Sequence, residues 1–92
     1  MKTIWKYKLE VTDSQTIEVP KGGKILCVQT QDGIPFLWIE VDSDLPSVPR
    51  YFEIFGTGHE IRYDMAVQRE YIGTFQMRSG TLVFHVYEYI GI

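Results

Sequence analysis

Residues 24–42 read KILCVQTQDGIPFLWIEVD, two apolar-rich runs joined by Asp32-Gly33. A two-residue type I′ turn needs positive φ at both central positions, and Asp-Gly between two such runs is among the strongest local signals for it. The turn predicts a hairpin and, with it, a register. Leu26 then faces Ile39, Val28 faces Leu37 and Lys24 faces Val41 on one side of the pair. The other side sets Cys27 against Trp38, Gln29 against Phe36 and Ile25 against Glu40. That second side is half apolar, more than the solvent face of a single sheet requires, so it is expected to be covered by the rest of the chain or by a second copy.

Upstream, Trp5, Tyr7, Leu9 and Val11 alternate with Lys6, Lys8 and Glu10, the pattern of a half-buried strand over residues 4–11. Thr12-Asp13-Ser14 is turn chemistry, and Gln15 to Val19 resumes the alternation with Ile17 and Val19 inward until Pro20 and Gly22-Gly23 stop it. These two strands are expected to form a hairpin that leads into the central one. Downstream, DSDLPSVPR at residues 42–50 reads as an irregular surface connection. A short strand follows over 50–55 with Phe52 and Ile54 on one side, closed by Gly56-Thr57-Gly58-His59. Residues 60–70 lack a helix cap and carry Asp64 in the middle, so they are read as an irregular connection with room for a short helix. The last pair, Tyr71 to Met77 and Thr81 to Tyr89, turns near Ser79-Gly80 and sets Phe75 against Phe84, Met77 against Leu82 and Gly73 against Val86. Its reverse carries Ile72, Thr74 and Gln76 facing Tyr87, His85 and Val83. Six to seven strands built from hairpins predict an all-β fold, a small antiparallel sandwich or barrel.

Ninety-two residues, 45% of them hydrophobic, are enough for one domain with one core. The formal charge of −3, with no long block of either sign, gives no duplex nucleic acid or anionic membrane as partner. Cys27 is the lone cysteine and cannot form an internal disulfide; a reduced thiol in a strand fits a cytoplasmic protein. MKTIWKYKLEV alternates instead of running apolar, so no signal peptide is expected, and no apolar run approaches the length of a membrane span.

Gly56-Thr57-Gly58-His59 has glycines that would let backbone N–H groups approach an anion, but no lysine or helix follows, so a turn with unusual φ is the reading. His59 and His85 are the only histidines and stand at no metal-ligand spacing, and no cofactor or metal is expected. The serines lie in turns without a base partner, and Asp42 with Asp44 reads as solvated charge, so no enzyme is expected. The residues that suit binding are aromatic and basic: Arg50, Tyr51, Arg62, Tyr63, Arg69 and Tyr71, together with Phe36 and Trp38 and the two histidines. Arginine and tyrosine anchor interfaces and equally suit stacking on a base and pairing with a phosphate.

MKTIWKYKLEVTDSQTIEVPKGGKILCVQTQDGIPFLWIEVD, IFGTGHEI, EYIGTFQ and LVFHVYE, taken together and in order, resemble a family of short proteins of unknown function encoded by tailed bacteriophages. Glu60 stands where that family often has proline. The resemblance implies a setting and transfers no catalytic residue. It points to a phage accessory protein in the host cytoplasm that binds a host protein, another macromolecule or a small signal, as inhibitor or counter-defence factor, and works as a homo-oligomer. The alternatives are a minor virion structural or assembly protein and a nucleotide-sequestering protein using the Arg/Tyr set.

Overall fold

The computed structural model describes residues 1–62 and 66–91. Among them are seven strands and no helix: β1 (Lys2–Lys8), β2 (Ser14–Pro20), β3 (Lys24–Gln31), β4 (Ile34–Asp42), β5 (Ser47–Gly56), β6 (Gln68–Met77) and β7 (Leu82–Gly91). They form two antiparallel sheets, a three-stranded one in the order β1-β4-β3 and a four-stranded one in the order β2-β5-β7-β6. The sheets pack on each other as an open sandwich, with β3 against β6 and β2 against β4. Between them lies the core, including Leu9, Val28, Leu37, Ile39, Phe52 and Val86.

The central hairpin turns as expected. Asp32 and Gly33 have φ of 53° and 77°, both positive as a type I′ turn requires. Val28 faces Leu37, Cys27 faces Trp38 and Gln29 faces Phe36. Beyond Cys27 the expected register fails, because a bulge at Leu26 sets Ile25 against Ile39 and Lys24 against Glu40. The bulge turns Ile25 toward the core and leaves Leu26 42% exposed.

The expected β1–β2 hairpin does not form. β1 pairs with β4, setting Trp5 against Ile39 and Tyr7 against Leu37, while β2 pairs with β5. Leu9 explains the split: fully buried and bonded through its N–H to the Pro35 carbonyl at 3.0 Å, it anchors the segment that carries the chain from one sheet to the other. The inward series therefore ends at Leu9, and Val11 is exposed.

Residues 47–49, expected in the loop, begin β5. Ser47 to Arg50 have a ladder partner in β2, and the β7 ladder starts only at Tyr51, so Pro49 sits where the strand needs bonds on one side. The last hairpin has the expected pairs Phe75–Phe84, Met77–Leu82 and Gly73–Val86, although its loop spans residues 78–81 with positive φ at Arg78, Ser79 and Gly80. A shift between Tyr71 and Gly73 sets Tyr71, not Ile72, against Tyr87. Gly73 is required there because a Cβ would come within 2.6 Å of Val28 Cγ1 where the two sheets meet. β6 reaches back to Gln68, so part of the expected irregular connection is strand, and its center at 63–65 lies outside the described residues. No helix among the described residues is long and apolar enough to cross a membrane.

Candidate functional site

Strand alternation decides which sequence-level candidates meet. On β5, Phe52 and Ile54 point into the core, so Tyr51, Glu53 and Phe55 point out. The antiparallel ladders then place Tyr51 beside Tyr89, which faces Arg69, and Glu53 beside Tyr87, which faces Tyr71. Phe55 lies beside His85, which faces Thr74. The outer surface of the four-stranded sheet is therefore an aromatic field three rungs deep. Tyr87 packs edge-on against Phe55 at 5.7 Å and against Tyr71 at 5.4 Å between ring centroids. Tyr51 and Tyr71 are 49% and 54% exposed.

Arg69 is the cation of this face, and three of its five N–H donors are engaged within the protein. Nε donates to Glu53 Oε1 at 2.6 Å, Nη2 to Oε2 at 3.4 Å and Nη1 to the Arg62 carbonyl at 2.8 Å. Its guanidinium lies 5.7 Å from the Phe55 ring centroid. The hydrogen bond that Arg69 donates to Glu53 holds the Arg69 pKa above its ordinary value. Glu53 and Arg69 thus neutralise each other inside the aromatic field.

Arg50 does not join the set. Alternation places it on the inner side, where Nε and Nη2 grip both oxygens of Glu88 at 2.6 and 2.7 Å and Nη1 donates to the Gly23 carbonyl. Glu88 is only 8% exposed, and the pair lines a separate polar pocket of about 330 Å³ with Lys24, Ile25 and Glu70 on the inner side of the sheet. The bond to Glu88 raises the Arg50 pKa against the opposing effect of burial.

His85 sits mid-strand on the outer face, as expected, with both ring nitrogens engaged. Nε2 is 2.7 Å from Thr57 Oγ1, Nδ1 is 2.9 Å from Thr74 Oγ1, and Thr74 Oγ1 is 2.5 Å from the Tyr71 hydroxyl. One proton arrangement satisfies the whole chain: Tyr71 donates to Thr74, Thr74 to Nδ1, Nε2–H to Thr57 and Thr57 to the Val83 carbonyl. A threonine on each side of the imidazole, with no carboxylate to orient it, makes a tie between strands instead of an activated nucleophile. His59 is exposed; its N–H donates to the Gly56 carbonyl at 3.0 Å and its ring lies over Gly56, as expected of a turn histidine. Together with Arg62 it lines a polar depression shared with Glu53 and Arg69. Tyr63 lies outside the described residues. No group of three His, Cys, Asp or Glu among the described residues is placed to hold a metal ion.

Phe36 and Trp38 occupy the opposite surface, the outer face of the three-stranded sheet, with rings 6.3 Å apart. Both are half-buried, and the cover comes in part from β1: Lys6 Nζ stands 4.6 Å from the Phe36 centroid and 5.8 Å from that of Trp38, and donates to Gln31 Oε1 at 2.6 Å. Trp38 Nε1–H is buried with no acceptor among the described residues. Ile4 and Ile34 remain exposed on the same sheet.

Beside the tyrosines the surface steps down. Against Glu53 and Tyr51, β2 presents Ser14 and Thr16 outward, with Glu18 further along the same side, so the large rings wall a groove of about 460 Å³ floored by small hydroxyl side chains. Ser14, Thr16, Tyr51 and Tyr89 have no side-chain hydrogen-bond partner among the described residues. Phe55, Tyr87 and Tyr89, together with this groove, were absent from the sequence-level candidates. Alternation in β7 put Tyr87 opposite the core face, but only the β5–β7 ladder brings Tyr51 and Phe55 alongside.

Comparison with known proteins adds a family. The family model described as a domain of unknown function (DUF7352) matches residues 1–91. No curated protein and no solved structure matches the chain.

Proposed function

The chain belongs to the DUF7352 family, and from that premise we propose a non-catalytic binding protein, encoded by a tailed bacteriophage and acting in the host cytoplasm, with the tyrosine face of the four-stranded sheet as its contact surface. One observation carries this reading. Tyr51, Phe55, Tyr71, Tyr87 and Tyr89 stand on three adjacent strands, and no described element packs over them. Tyrosine and arginine at the center of a surface, with charge neutralised internally, match the composition of interface centers, where large rigid rings bury area at low entropic cost. The target is a host macromolecule or small signal, bound for inhibition or counter-defence.

Affinity capture from infected cells, comparing the native chain with the Tyr51→Ala/Tyr71→Ala variant, tests the assignment. The expected result is a host component enriched with the native chain and lost with the variant. A component retained equally by both would overturn the choice of face. Stoichiometric recovery of the protein in purified particles would instead favor a virion structural or assembly role.

A second reading, self-association, rests on the other sheet. Lys6 covers Phe36 and Trp38 only in part, and the exposed Ile4 and Ile34 extend the apolar surface around them. The nucleotide reading is the weakest of the three. Its tyrosines are on the surface, but Arg50 is turned inward onto Glu88 and Arg69 is paired with Glu53, which leaves Arg62, beside His59, as the arginine of the set open to a phosphate.

A further inference from the structure

We propose that the groove between β2 and the Tyr51–Tyr89 rung is a binding site for a neutral saccharide, an inference that rests on the tyrosine face being the contact surface. Three features of the groove select that class. The first is its hydrogen bonding. Ser14, Thr16, Tyr51 and Tyr89 each bring a hydroxyl with no partner among the described residues, and a hydroxyl both donates and accepts. A ligand that complements such a set must itself offer groups that do both, as sugar hydroxyls do.

The second is charge. Glu53 is the one charged lining residue, and its two oxygens already accept from Arg69. With no cation among the lining residues, a phosphate or carboxylate ligand would exchange its hydration for neutral hydroxyl donors alone, whereas an uncharged ligand has less hydration to lose. The third is shape. Tyrosine rings rise beside a low floor, giving a flat apolar wall with a polar base, and a pyranose has the matching form, a C–H face with hydroxyls at its rim. A volume of about 460 Å³ lies within the range of small-molecule sites.

The test is a titration of the ¹⁵N-labelled full chain, followed by amide chemical shifts, with maltotriose, cellotriose and N-acetylated chitotriose as neutral probes and ATP as the charged control. At least one neutral trisaccharide is expected to give saturable shifts at Ser14, Thr16, Tyr51 and Tyr89, with a dissociation constant near the millimolar range typical of a shallow uncharged site, about 1 mM. Tyr51→Ala should weaken that binding about tenfold or more and Thr16→Val about threefold, while Leu26→Ser, at an exposed position of the three-stranded sheet, leaves it unchanged. Because Thr16→Val keeps the size and β-branching of the native residue, it preserves the test if Tyr51→Ala disturbs the sheet. Silence with every neutral probe up to about 10 mM, groove shifts with ATP alone, or binding indifferent to both groove variants would overturn the proposal. A silent panel beside a host protein captured through Tyr51 and Tyr71 would overturn the saccharide and leave the contact face standing. Loss of both results would remove the two readings together.

Discussion

Arg50 shows how a single residue changes meaning when its partner is known. In sequence it belongs with Tyr51 and Arg69 as a surface anchor; in the fold it is the counter-charge of a carboxylate that is 8% exposed. Removing one member of such a pair strands the other, so Arg50→Ala is expected to cost about 3 kcal/mol in urea denaturation. Replacing both members, Arg50→Met with Glu88→Leu, should recover most of that loss, and a double variant as unstable as Arg50→Ala alone would contradict the assignment. Tyr7 supplies a pH dependence. Burial raises its hydroxyl above the ordinary 10.0, so the folded chain favors the protonated form. That contribution is complete below the unfolded value and is lost as pH rises through the folded one. Unfolding midpoints at about pH 8 and about pH 11 should therefore fall less for Tyr7→Phe than for the native chain.

At the scale of elements, the β3 bulge decides which of two neighbors is core. The turn-derived register put Leu26 inward and Ile25 outward; the bulge reverses them. Leu26→Ser should consequently change stability by no more than about 0.5 kcal/mol, while Ile25→Ala should cost at least about 1 kcal/mol. The opposite ranking in denaturation midpoints would restore the unbulged register. β1 illustrates a different limit. Its alternation announces a strand, yet alternation is silent about the neighbor, and the tight spacing to β2 suggested a hairpin that Leu9 prevents by burying itself between the sheets. Lys2, Lys6 and Lys8 on this edge strand also discourage further strand pairing along its free side.

The whole molecule is a slab with Cα extents of 40 × 37 × 16 Å, thin enough that two stacked sheets account for its depth. Two layers leave two outer faces, and these differ. The four-stranded sheet presents uncharged tyrosines around an internally neutralised pair. The three-stranded sheet presents Phe36 and Trp38 under Lys6, with further lysines on β1 and β3. Self-association through this second face predicts a mass above that of one chain in size-exclusion chromatography with light scattering. Ile4→Glu, at an exposed position, should return it to one chain without loss of fold, and a native chain that stays monomeric at high concentration would exclude this contact.

The sequence by itself determined the strand centers, the Asp32-Gly33 turn, the Phe75–Phe84 register and the all-β class, because side-chain alternation and turn chemistry are local properties of the chain; the ends of β1, β5 and β6 it misplaced. It also named Tyr51, Arg69 and Tyr71 as surface residues worth attention. Only the tertiary structure decided which strands are neighbors, where bulges at Leu26 and Ile72 reset the pairing, and that Arg50 faces in while Phe55, Tyr87 and Tyr89 complete the aromatic field. The physical reason is that a period of two assigns each residue a side of its own strand, whereas a site is built across strands distant in sequence, and their order follows from burial of the entire core.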